Sequence, residues 1–283
     1  MTLGPTVAGR WYPSDPSELG REVDTLLARA TLLEAPNGSV AALVAPHAGF
    51  MYSGAVAARG FALLRARQVA RVLLIGPSHY AAYEGAAVPA ASDYRTPLGA
   101  VPLDLDARGA LAAVPSIRID DGPFEPEHCL EAELPFLQRV LAPGFRLLPL
   151  LIGAGTTPST TRAVAAALAP LITSDTLLVV SSDFTHFGAR FGYQPFRGDV
   201  ARRIEQLDRG AIDRVLEIDG PGFSAYVERT GATICGRLAI EVLLQLLPAA
   251  TPARLLAYDT SGRMTGDWTH TVSYASLAFE RPF

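Results

Sequence analysis

Three apolar runs in this chain stop abruptly at a histidine. ALVAPHAG ends in His47, VLLIGPSHY in His79, and LLVVSSDFTHFG, residues 177–188, in His186. Short β-branched runs bounded by Gly, Pro and Ser read as buried strands, here predicted over 40–44, 71–75 and from 177 onward, with a fourth over 145–152. Between them the apolar spacing turns helical. SELGREVDTLLARA carries one apolar face and starts at Pro16, where Ser14 or Asp15 is placed to cap it. SGAVAARGFALLRAR follows the first core strand, and TTPSTTRAVAAALAPLI leads as a capped helix into the strand at 177. Strand, helix and strand in alternation predict parallel pairing and an α/β fold.

The remaining stretches fill in around this frame. A PNG turn at residues 36–38 precedes the first core strand. Residues 86–102, with the turn-like DYRTPLG, read as a long loop holding short strands. The polar DDGPFEPEH precedes a predicted helix over 129–141. The segment from 188 to 231 is more polar and helical in pattern, 234–247 is an apolar helix opening at Cys235-Gly236, and ARLLAYDTS and TVSYASLAFE form two last strands. With no repeat of solenoid period and no linker, one domain over residues 1–283 is expected.

Composition narrows the function classes. Apolar residues make up 49% and charged residues 18%, which supports a buried core and argues against disorder. A net charge of -4 without a basic cluster excludes nucleic acid as an expected partner. No apolar run approaches the roughly 20 residues of a membrane span, and MTLGPTVAGRWYP lacks the order of a signal peptide, so the expected compartment is the cytoplasm. Lysine is absent, which removes Schiff-base and P-loop lysine chemistry. Two cysteines, Cys129 and Cys235, make no disulfide framework.

Candidate chemistry collects at the strand ends, where ligands of open α/β sheets bind. His47, His79, His186 and Cys235, with Asp183 near His186, form a candidate transition-metal constellation. Imidazole and thiolate suit iron, copper or zinc and not magnesium or calcium. The strands before His47 and His79 are expected to be neighbours. Any one of these histidines alone reads more simply as a satisfied core or loop residue, and His128 and His270 look ordinary. Cys235 opens a helix, where the dipole favours thiolate and Arg237 adds positive charge; a buried packing role is the alternative, and the stronger one for Cys129. Asp183 is expected to orient His186 from one turn away, to form an Asx-turn with Thr185 or His186, or to do both. A serine hydrolase built on Ser181 or Ser182 is disfavoured, because SSDFTHFG lacks the G-x-S-x-G elbow.

VAGRWYP, APHAGFMYSG, GPSHY, TPLG, EHCLEAELPFLQ, SSDFTHFG, TICG and VSYASLAF occur in the order seen in the Memo family, whose bacterial members are also called AmmeMemoRadiSam system protein B. The chain resembles that family over nearly its whole length. Memo proteins are similar in fold to LigB-type class III extradiol dioxygenases, which implies a central, mostly parallel or mixed sheet with helices on both faces. The resemblance also implies two metal ligands at His47 and His79 and a third at Cys235, which replaces the dioxygenase glutamate. It places His186 where the dioxygenases keep an acid/base histidine, with Asp183 in the same motif. Family associations imply copper-dependent oxidation, iron binding or, in animals, phosphotyrosine-peptide binding, and AMMECR1-like and radical SAM proteins as partners. The chain departs at Phe50, where tyrosine is common, and at Glu133, where the animal motif has histidine. These departures leave Glu131 and Glu133 assigned to either pocket or surface.

Three functions are therefore expected in order. The first is metal-dependent redox chemistry or metal binding, with iron or copper, or zinc, on His47, His79 and Cys235, and with His186 and Asp183 as catalytic residues. The second is a non-catalytic binding module that takes a peptide, small molecule or partner protein in the same cleft through Arg10, Trp11 and Arg237. The third is a ring-cleaving non-haem iron dioxygenase.

Overall fold

The computed structural model describes residues 1–30 and 39–281; the predicted turn at 36–38 lies outside the described residues. From the N-terminus run β1 (Thr2–Leu3), α1 (Pro16–Arg29), β2 (Val40–Ala45), α2 (Phe50–Phe61), β3 (Arg71–Pro77), β4 (Ala86–Val88), β5 (Asp93–Thr96) and β6 (Gly99–Pro102). Next come α3 (Leu105–Leu111), β7 (Ile117–Ile119), α4 (Leu134–Val140), β8 (Arg146–Ile152), α5 (Pro158–Leu168), β9 (Thr176–Ser181) and β10 (His186–Phe187). The chain continues through α6 (Val200–Leu216), α7 (Gly220–Thr230), α8 (Arg237–Leu246), β11 (Ala253–Thr260), α9 (Ser261–Thr265) and β12 (Thr271–Glu280).

Local chemistry accounts for several boundaries. Asp15 caps α1 by accepting from the backbone N–H groups of Ser17 and Glu18, and Pro16 occupies the first turn, where its missing N–H costs nothing. Thr157 caps α5 in the same way through Thr160 N–H. The helix predicted over 129–141 is shorter. A 3-10 turn at Glu131–Glu133 precedes α4, and Pro135 sits in the first turn of that helix. The helix after the first core strand starts earlier than predicted, at Phe50, and tightens into a 3-10 turn over Ala62–Leu64.

β2, β9, β3 and β8 lie side by side in parallel, and antiparallel neighbours extend the sheet: β12 on β2, with β10 and β11 against β12, and β4 on β8, beyond which β7 pairs in parallel with β4. A second sheet, β1-β5-β6, is formed by the N-terminus and the loop region of 86–102. Alternate residues of the central strands feed two cores. Leu43, Val72, Leu74, Leu147, Leu177 and Val179 pack toward α1, α2 and α4. Val44, Leu73, Ile75, Leu148, Leu178 and Val180 pack toward α3, α5, α6, α7 and α8. Helices therefore cover both faces of a mixed sheet. That double coverage explains why these strands read as continuous apolar runs rather than as alternating ones.

One expectation is overturned. β2 and β3, which lead to His47 and His79, are not neighbours, because β9 is hydrogen-bonded to both. The strand of the 177–188 stretch thus runs between the other two. Among the described residues, no helix is long and apolar enough to cross a membrane.

Candidate metal centre

The loops that leave β2, β9 and β3 open on one side of the sheet into a cleft of about 750 Å³. All five histidines of the chain, His47, His79, His128, His186 and His270, line it. His128 and His270 are therefore not ordinary loop residues, which corrects the expectation from sequence.

His47 is buried. Its backbone N–H donates to Asp183 Oδ1 at 2.9 Å, and its Nδ1 lies 2.8 Å from Ser181 Oγ. Both contacts follow from register, since Ala45 is paired with Ser181 and Ser182 N–H donates to the carbonyl of Ala45. His79 is held by Glu127, which accepts from the His79 backbone N–H at 2.7 Å and lies 2.8 Å from Nδ1. The same carboxylate accepts from the N–H groups of His128 and Cys129. Burial alone would raise Glu127, but the hydrogen bond and charge of His79, with the nearby His128, outweigh it and hold the carboxyl at about 2.

His186 opens β10, and no helical turn precedes it. Its Nδ1 lies 3.0 Å from the carbonyl of Phe184 and 3.1 Å from that of Thr233, so Nδ1 carries the proton and donates. The orienting contact expected from Asp183 is thus supplied by these two carbonyls. Asp183 forms no Asx-turn and reaches across to the backbone of His47 and Ala48 instead. Burial raises the Asp183 carboxyl, against the opposing pull of His186 and these N–H groups.

His47, His79 and His128 form a tight group whose candidate ligand atoms all lie within 4.8 Å of one another. His79 and His128 stack with ring centroids 4.8 Å apart and planes 11° from parallel, whereas His47 stands at 77° to His79. Burial, and then the mutual repulsion of the clustered imidazoles, pushes His47 well below its usual range. His128 is pushed down to about 4, chiefly by burial and against the pull of Glu127.

Cys235 sits in the turn before α8, two residues ahead of the first helical residue, with Sγ 3.4 Å from His47 Nε2. Gly236 makes this approach feasible, because a Cβ there would stand 2.4 Å from Ser182 Cβ; its N–H donates to Ser182 Oγ instead. The thiol behaves contrary to the helix-terminus expectation. Burial, reinforced by the Asp183 carboxylate, pushes it well above its usual range. Arg237 points away, toward Glu241 at 4.0 Å, and does not line the cleft, whereas Arg10 and Trp11 do. Cys129 is fully buried and donates to the carbonyl of Pro77. Glu131 and Glu133 are also buried. Glu131 anchors the N-terminal segment through Thr6 N–H, Val7 N–H and the Tyr12 hydroxyl, and Glu133 lies 2.8 Å from Ser181 Oγ.

A doubly covered mixed α/β sheet with a histidine-lined cleft at its carboxyl edge defines a class of protein with a candidate metal centre. The model of the Memo-like protein family matches residues 4–278, and the chain belongs to that family. A MEMO1 family protein of Methanopyrus kandleri is 32% identical over 99% of this chain and 100% of its own length. A memo-1 homolog of Caenorhabditis elegans is 31% identical over 95% of this chain and 80% of its own. Protein MEMO1 of Xenopus laevis is 32% identical over 96% and 95%. Among solved structures, an uncharacterized protein of Escherichia coli K12 is similar in fold, with a TM-score of 0.50 at 14% identity over 75% of this chain and 86% of that one.

Proposed function

We propose that this chain binds a transition metal, iron or copper with zinc as the redox-silent alternative, on His47, His79 and Cys235, and uses it for redox chemistry on a molecule bound in the cleft. The observation that carries this reading is the state of the imidazoles. Each of His47, His79 and His186 has Nδ1 tied to a fixed partner, which leaves Nε2 as the nitrogen for a metal or substrate, and His47 Nε2 stands 3.4 Å from Cys235 Sγ. Histidines that ligate metals are held in this way by an outer hydrogen bond that fixes the tautomer. The donors suit iron, copper or zinc rather than hard alkaline-earth ions. When bound, such a metal supplies Lewis acidity or electron exchange. His186, with a bare Nε2 and two carbonyls behind it, is the acid/base group, and Asp183 holds the His47 loop. AMMECR1-like and radical SAM proteins are the proposed macromolecular partners.

Elemental analysis of protein purified without chelator tests the proposal. Iron, copper or zinc is expected near one per chain, falling at least about tenfold in Cys235→Ser. Failure of all three metals to copurify or load would refute it, and uptake left unchanged by Cys235→Ser would remove Cys235 from the ligand set.

A second reading is favoured by Arg10 and Trp11 on the cleft wall, where Trp11 stands edge-on to His128 at 4.3 Å. A cation and an aromatic face suit an anionic or peptide ligand bound without chemistry. Partner capture that survives His47→Ala would favour this binding module over the enzyme.

A further inference from the structure

Ser181 Oγ lies 2.8 Å from three groups at once: His47 Nδ1, the carbonyl of Cys129 and Glu133 Oε1. A hydroxyl has one proton to give and two lone pairs to receive. The carbonyl can only accept, so it takes the Ser181 proton. The remaining two partners must then donate into Oγ, His47 through Nδ1–H and Glu133 through a carboxylic O–H. We infer that Glu133 is a neutral carboxylic acid that acts, through Ser181, as the positioning residue fixing His47 with its proton on Nδ1 and its lone pair on Nε2.

The surroundings agree with this proton count. Glu133 is fully buried, and its Oε2 has no hydrogen-bond partner among the described residues. A carboxylate in that position would carry a buried charge with one oxygen unsatisfied, far costlier than a bare neutral carbonyl. Burial and the nearby Asp183 both raise the Glu133 carboxyl, against the single contact from Ser181. The His47 Nε2 so presented faces Cys235 Sγ at 3.4 Å. The consequence for metal affinity rests on the function proposed above; the proton assignment does not.

Difference infrared spectra of metal-free wild type and Glu133→Gln at pH 7 read the protonation directly. Loss of a protonated-acid carbonyl band in the variant is expected, and loss of carboxylate bands instead would overturn the inference. Histidine nitrogen NMR should find His47 with its proton on Nδ1 in wild type and in Glu133→Gln, and a mixture of tautomers in Ser181→Ala. An Nε2–H tautomer in wild type would also overturn it. The amide is a neutral isostere that still donates to Oγ, so a Glu133→Gln chain that fails to fold counts against a neutral acid. In zinc titrations Glu133→Gln should stay within about threefold of wild type and Glu133→Leu lose about 10–100-fold, the usual cost of an outer partner. Equal large losses in both would point to a charged Glu133. If zinc does not bind wild type but the spectra are as expected, only the metal assignment fails.

Discussion

Replacing Glu127 by Gln tests the group that fixes His79. In wild type Oε1 accepts from the N–H groups of His128 and Cys129 and faces His79 Nδ1, while Oε2 accepts from the His79 backbone N–H at 2.7 Å. An amide oxygen can replace one carboxylate oxygen only. With oxygen in the Oε1 position, the NH2 group meets the His79 N–H donor to donor; reversed, it meets two backbone donors. The carboxyl is held at about 2 against an ordinary 4.5, a difference worth about 3 kcal/mol of folding free energy. Breaking a buried, hydrogen-bonded charge costs about 3–5 kcal/mol by a separate route, so the two figures agree.

The sign of the pH dependence follows from the direction of the shift. Because the folded value lies below the unfolded one, the unfolded chain binds more protons between them, and stability rises with pH across that interval. The contribution is complete above the ordinary carboxyl value, and about a quarter of it has gone by pH 4. Urea unfolding of metal-free wild type and Glu127→Gln at pH 7 should differ by about 3 kcal/mol, and the gap should narrow by about 1 kcal/mol at pH 4. A difference below about 1 kcal/mol at pH 7, or a gap that widens on acidification, would refute the reasoning.

Three further outcomes are expected. His186→Ala should keep metal affinity within about threefold of wild type and alter turnover or ligand contact; loss of metal would make His186 a ligand. Gly236→Ala should cost about 1–3 kcal/mol of stability, since its Cβ would stand 2.4 Å from Ser182 Cβ, and should weaken metal uptake by pushing Cys235 away from His47; an unchanged unfolding midpoint would refute this. Tyr258→Phe removes a donor to the buried Asp208 carboxylate, which also accepts from Thr185 N–H, so it should cost about 1–3 kcal/mol; a neutral result would show that Asp208 is satisfied by other means.

The strands, the α1 and α5 caps and the strand-end histidines were legible in the sequence because each depends on neighbours within a few residues. The insertion of β9 between β2 and β3 was not, since an apolar run buried on both faces carries no mark of which parallel strand will lie beside it. His128 was hidden for a related reason. Its segment is polar and reads as surface, and what draws it in is Glu127, which bonds His79 48 residues away. A usable hint was the pairing of Glu127 and His128 directly ahead of Cys129, a polar run that ends without transition in buried positions. For Cys235 the helix-terminus argument had the wrong sign. The thiol lies before the first turn of α8, and desolvation of the half-buried sulfur beside the Asp183 carboxylate outweighs the partial charge of a helix end.

Ring orientation decides which third donor best completes the proposed centre. An imidazole lone pair lies in the plane of its ring, so two rings share an ion only where their planes intersect near both nitrogens. His47 stands at 77° to His79 and at 75° to His128, so its plane crosses both, whereas the planes of stacked His79 and His128 are 11° from parallel and do not converge on one ion. His128 therefore acts as a face packed on His79, and its depressed basicity, about 4, keeps its own ring uncharged near neutral pH. Cys235 already touches His47 at Nε2, the atom that Ser181 leaves without a proton. Its raised thiol has a consequence for metal binding: the proton must leave when the sulfur ligates, so affinity through Cys235 rises with pH across the neutral range. Three imidazoles acting alone would lose that dependence once the histidines are neutral. The pH course of metal uptake above neutrality thus separates a centre that uses the thiol from one that uses the histidines only.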